Sequence, residues 1–166
     1  MTLYIGSAPL SKAYIGSTEL TKIYVGSTEV WSNFSASGMT KNASAQSVAV
    51  NTFVQVVGMV AESGSSVSSD ALVPNGSKVG ATVSGQISIS ATNFMPSMTA
   101  EIRKNGVLVP GATVTAPTYS QNTATLTIPS QNVNVASGDL FTLWLKPAYN
   151  VGATIAAGVN TYLRIA

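Results

Sequence analysis

There is no cysteine and no histidine among the 166 residues. The first absence removes disulfides and leaves the redox compartment unmarked. The second removes the side chain that most often moves protons near neutral pH and ligates zinc. General acid–base or nucleophilic work would fall on carboxylates, Lys, Tyr, Ser or Thr. Charge is scarce as well: 8% of residues are charged against 45% hydrophobic, and the net charge is +2. Only Arg103 and Lys104 are adjacent basic residues, so no basic stripe points to nucleic acid or to a membrane surface. No run approaches ~18 apolar residues, and Met1-Thr-Leu-Tyr-Ile5 lacks the basic, then apolar, pattern of a signal peptide. The expectation is a soluble protein made in a cytoplasm.

The acidic residues are Glu19, Glu29, Glu62, Asp70, Glu101 and Asp139. A glycosidase-like pair such as Asp70 with Glu101 is the one motivated enzymatic alternative, because such carboxylates need not be near in sequence. The set is sparse for a Ca²⁺ site. The Ser63-Gly-Ser-Ser-Val-Ser-Ser69 run lacks the spaced glycines and the Lys of a phosphate loop and reads as a flexible loop. Sequons at Asn33, Asn42 and Asn75 carry no weight in so Asn- and Ser-rich a chain. The expectation is a protein that is not an enzyme and holds no metal or cofactor.

What is present is a repeat. Leu3-Tyr4-Ile5-Gly6-Ser7 returns at a ten-residue offset as Ala13-Tyr14-Ile15-Gly16-Ser17 and again as Ile23-Tyr24-Val25-Gly26-Ser27. Leu10, Leu20 and Val30 also match, as do Lys12 and Lys22. An apolar–Tyr–apolar triplet suits a short strand, and Gly-Ser-Thr supplies a tight turn, so each unit reads as strand, turn, strand. Units this small do not bury their own apolar face. Residues 1–34 therefore read as an arm for docking or oligomerisation, with Tyr4, Ile5, Tyr14, Ile15, Tyr24, Val25 and Trp31 as its contact residues.

Residues 35–46 read as a polar linker, and 47–166 as a jelly-roll-like antiparallel β-sandwich. Strands are expected at 48–60, 79–91, 98–104, 107–114, 124–128, 133–135, 140–146 and 161–165. Gln86-Ile-Ser-Ile-Ser90 and Thr123-Ala-Thr-Leu-Thr-Ile128 alternate apolar with polar residues, as strands with one wet face do. Asn105-Gly106 predicts a two-residue hairpin turn. Trp31, Trp144, Tyr119, Tyr149 and Tyr162 are candidates for a sugar- or protein-contacting surface, and Trp144, inside Leu140-Phe-Thr-Leu-Trp-Leu145, fits sheet core or subunit packing better.

The repeat, in Lys12-Ala-Tyr-Ile-Gly-Ser-Thr-Glu-Leu-Thr-Lys-Ile-Tyr-Val-Gly-Ser-Thr-Glu-Val-Trp31, resembles N-terminal segments of the minor tail or minor structural proteins of tailed bacteriophages. The remainder is similar to the trimeric jelly rolls of the C1q and tumour-necrosis-factor type and to knobs on phage fibres. That likeness rests on Ala100-Glu-Ile-Arg-Lys-Asn-Gly106, Val135-Ala-Ser-Gly-Asp-Leu-Phe-Thr-Leu-Trp-Leu145 and Tyr162-Leu-Arg-Ile-Ala166. The closing Phe-containing signature of that family is absent. The resemblance implies a homotrimer with strands 140–145 and 161–166 near the three-fold axis, packed through Leu143, Trp144 and Tyr162. It implies a virion location, with the arm held by a tail protein or, alternatively, by the major capsid protein as in a decoration protein. A carbohydrate-binding adhesin for a host cell-surface glycan is the alternative of another class.

Overall fold

A computed structural model of the chain describes residues 4–5, 8–9, 12–20, 22–32, 34–90, 97–116, 123–148 and 153–166. All strand pairing among them is antiparallel, and no helix occurs. The arm forms three separate hairpins: β1 (Tyr4–Ile5) with β2 (Ala8–Pro9), β3 (Ala13–Ile15) with β4 (Thr18–Leu20), and β5 (Lys22–Val25) with β6 (Thr28–Ser32). Each ten-residue unit is therefore one hairpin, as its pattern predicts.

Two sheets follow. The first contains β7 (Ser37–Lys41), β8 (Gln46–Val48), β10 (Met59–Ala61), β13 (Lys78–Ser90), β16 (Ala124–Val135), β18 (Ala153–Ile155) and β19 (Tyr162–Ile165). Its centre is β13, which pairs with β16 along one edge and with β19 and then β18 along the other. Outward from β19 come β7 and β10. The second sheet has the order β11 (Ser66–Ser68), β12 (Ala71–Val73), β17 (Phe141–Pro147), β14 (Met98–Lys104), β15 (Val107–Ala116), with β9 (Val54–Gln55) also on β17.

Side chains alternate across each strand. Ile87, Ile89, Leu126, Ile128, Leu163 and Ile165 point inward from the first sheet, against Met98, Ala100, Ile102, Phe141, Leu143 and Leu145 of the second. Each fully buried Leu, Ile or Phe stabilises such a core by roughly 1.5–3 kcal/mol relative to exposure. The hydroxyls and amides between them, among them Gln86, Ser88, Thr125 and Thr127, face outward. The Asn105-Gly106 turn joins Lys104 to Val107 directly, with φ of 51° and 82°, as a two-residue loop requires.

Several boundaries differ from the expectation. Ser37–Lys41, inside the segment read as a linker, is a strand buried between β19 and β10. Met39 is its only large apolar residue, so no alternation advertised it. The run expected as one strand over 48–60 breaks into three at Asn51 and Gly58, both with positive φ. The chain changes sheet there. Val56 N–H donates to Leu143 O at 2.9 Å, Asn42 N–H to Gly58 O at 2.9 Å, and buried Lys41 Nζ to Val57 O at 2.7 Å, which pins the crossing. The Ser-rich run read as a loop contains β11, turning into β12 through Ser69 and Asp70, both at positive φ. Finally, 124–128 and 133–135 join into β16. The register shift lies around Pro129, on a strand whose other edge is unpaired and needs no N–H there.

Candidate functional site

In the arm, Gly16 and Gly26 have φ of 61° and 62° at the first turn position, while Ser17 and Ser27 do not. That is the type II′ geometry, whose twist matches a hairpin. Tyr14 lies opposite Glu19 and Tyr24 opposite Glu29. Successive strand residues face opposite sides. Yet Tyr14 and Ile15 are 53% and 72% exposed, and Tyr24 and Val25 are 52% and 68%. Both faces of each of these hairpins thus present apolar surface. The side chains of Tyr4, Ile5 and Trp31 lie outside the described residues.

On the sandwich, Leu143 is closed inside the protomer's own core and reaches no surface. Trp144 and Tyr162 alternate with inward residues and so lie on the outer faces of different sheets. Tyr119 and Tyr149 lie outside the described residues.

Around Trp144 the outer face of the second sheet is a fixed stack. The Arg103 guanidinium lies 4.1 Å from the Trp144 ring centroid and 5.1 Å from that of Phe53, and Lys146 Nζ is 4.9 Å from Phe53. Arg103 Nε also donates to Glu101 at 2.5 Å, and Glu101 is buried. Glu101 and Arg103 are two apart on a strand, so they share a face. That spacing was readable in the sequence. Trp144 Nε1 donates to Thr142 Oγ1 at 2.8 Å. Arg103 thus already covers a face of the Trp144 ring.

Around Tyr162, on the first sheet, Arg164 stacks at 4.6 Å from the ring centroid and forms an ion pair with Glu62 at 2.7 Å. Hydrogen bonds donated to Glu62 hold the Arg164 pKa above its ordinary value. The remaining outer face carries neutral groups, including Thr127, whose hydroxyl donates to Gln86 Oε1.

The two carboxylates of the enzymatic alternative have structural partners. Asp70 Oδ1 accepts from Met59 N–H at 2.8 Å, and Glu101 is bound by Arg103. Burial, opposed in part by the Asp70 charge, lowers the Lys41 pKa. Asp139 is the hub of one end. Its carboxylate accepts from Lys104 at 2.8 Å, Ala136 N–H at 2.7 Å and Asn105 Nδ2 at 2.8 Å. Burial opposes its ionisation, but these bonds and the Lys104 charge outweigh burial and lower its pKa.

Two lysines and two glutamates balance in the arm, and six cations meet four carboxylates beyond it. Every one of those four carboxylates faces a cation: Arg164, Lys41, Arg103 or Lys104. The two remaining ammonium groups, Lys78 and Lys146, sit over Phe34 and Phe53. No group of three or more acidic residues suited to a metal ion occurs among the described residues.

The fold is similar to a solved structure of Eiger TNF from S. frugiperda, with a TM-score of 0.59 and 8% identity over 80% of this chain and 90% of that one. The chain thus adopts a jelly-roll sandwich of the tumour-necrosis-factor type. No family model and no curated protein matches the sequence.

Proposed function

We propose that this chain is a non-enzymatic structural protein of a tailed-bacteriophage virion, a homotrimeric component of tail or fibre type anchored by its N-terminal hairpins. The observation that carries this reading is the arm. It repeats one hairpin, the second and third copies showing apolar side chains on both faces, ahead of a sandwich that has its own complete core. Such hairpins are marginal alone and gain stability by packing against other chains. For the trimer, the outer face around Tyr162 suits self-association better than the Trp144 face, because its groups are mostly neutral hydroxyls and amides. The stacked Arg103, Trp144 and Phe53 side chains favour a structural role for the other face.

Deleting residues 1–31 is expected to abolish incorporation into particles while leaving a soluble, folded trimer. Normal incorporation of the truncated chain would overturn the docking role. A capsid decoration protein uses the same parts on the head lattice, and copy number separates the two: hundreds per particle for decoration, a handful for a tail component. Host-glycan arrays are expected to give no signal. A reproducible signal would favour the adhesin reading.

A further inference from the structure

Among the described residues, the sandwich exposes seven large apolar side chains, and four of them, Val79, Val107, Leu108 and Leu140, belong to one end. The hydrogen bonds define that end. Asn105 N–H donates to Leu140 O, Leu140 N–H donates to Asn105 Oδ1, and Val107 directly follows the Asn105-Gly106 turn. Lys104 Nζ donates to Asn134 O, and Asn134 Oδ1 accepts from Gly80 N–H, one residue from Val79. With Asp139 bracing Asn105, Lys104 and Ala136, this apex is rigid.

The arm joins the sandwich at the same end. Ser35 N–H donates to Asn75 O at 2.9 Å, Lys78 lies over Phe34, and Lys78 pairs with Val135. The last hairpin ends at Ser32, two residues before Phe34, a span of at most roughly 7 Å. Exposed apolar hairpins and an exposed apolar apex are therefore neighbours by connectivity. A single chain does not bring them together, because Tyr24, Val25 and Val107 all stay exposed with its own arm attached.

We infer that the apex of each copy is covered by the repeat hairpins of a neighbouring copy. This deepens the self-assembling reading above and rests on it. Rotational symmetry holds the arm root and apex of every copy in a closed ring at one level along the axis, and the arm has three hairpins of length with which to reach a neighbour's apex. The chemistry matches. The two Lys and two Glu of the arm balance, the apex charges Lys104 and Asp139 neutralise each other, and Lys78 lies over Phe34, so apolar surface dominates the contact.

The absence of cysteine makes the test direct. Full-length chains bearing Val25→Cys are mixed with chains bearing Val107→Cys, allowed to exchange and oxidised. Heterodimeric disulfides are expected, at least tenfold more abundant than with Val60→Cys, an exposed apolar control on β10. Equal yields from the two mixtures, or none from Val25 with Val107 in an intact oligomer, overturn the inference. In a second arm, Val107→Asp with Leu108→Asp is expected to speed proteolysis of residues 1–32 about tenfold with the sandwich still folded. Unchanged proteolysis counts against it. If both fail while deletion of 1–31 still blocks incorporation, the apex contact falls and the docking role stands.

Discussion

The Glu62 carboxylate occupies the space that a β-carbon on Gly38 would need. It lies across β7 to reach Arg164, which is the register partner of Gly38 on β19. Gly38 is thus the seat of the ion pair, selected for space and not for an unusual φ. Gly38→Ala should displace Glu62 and cost about 1 kcal/mol, the upper range for an exposed pair plus local repacking. Urea unfolding measures it. Glu62→Ala should make the Gly38→Ala change nearly neutral, and an undiminished cost in that background would show that the clash lies elsewhere.

Glu101 is buried on the outer face of the second sheet, with Arg103 as its cation. Removing only the cation leaves a buried, unpaired carboxylate. Arg103→Met is expected to cost about 3 kcal/mol or more, with part of the loss from packing on Trp144 and Phe53. Adding Glu101→Gln should recover at least half. Additive losses in the double variant would refute the coupling.

The parts of this fold that were legible are those where one face is wet and the other dry. Ile87 and Ile89 among Gln86, Ser88 and Ser90 could only be a half-buried strand, and Asn105-Gly106 could only be a tight turn. The Gly-Ser steps at Gly16 and Gly26 revealed the arm hairpins for the same reason. What escaped notice were elements held by backbone pairing and not by apolar pattern: β7, with Met39 as its one large apolar residue, and β11 in a serine run. The sheet crossing at residues 56–58 depends on bonds with Lys41, Gln46 and Asn42, which are distant in sequence from the carbonyls and amides they meet. Nor does sequence show that Trp144 and Tyr162 lie on opposite faces. That follows from which sheet each strand joins.

At the apex, Asp139 receives three hydrogen bonds and its pKa is lowered from 3.8. A depressed carboxyl stabilises the fold fully above its unfolded pKa and loses that contribution as pH falls through the folded value. Acid titration followed by amide exchange at Ala136 and Leu140 should therefore show apex opening only below about pH 4. Asn105→Ala removes the bonds to Asp139 and from Leu140 N–H and leaves a residue at positive φ without the polar side chain that favours that conformation. A cost of about 2 kcal/mol is expected. Exchange at Leu140 unaltered by this substitution would contradict the bracing role.

Lys41 leads to a prediction at the other end of the pH scale. Its ammonium is buried beneath the sheet crossing, and burial, only partly countered by Asp70, brings its pKa below the 10.5 of the unfolded chain. Between the folded value and 10.5 the unfolded chain binds more protons, so stability rises with pH across that window and levels off above it. Lys41→Met should abolish this rise. At neutral pH the substitution loses the bond to Val57 O, about 1 kcal/mol, but also relieves the burial of a charge, so the net change should be small. Urea midpoints from about pH 8 upward decide the matter: an unaltered slope in Lys41→Met would mean that some other group titrates, and a loss of several kcal/mol at neutral pH would mean that the charged bond to Val57 outweighs its desolvation.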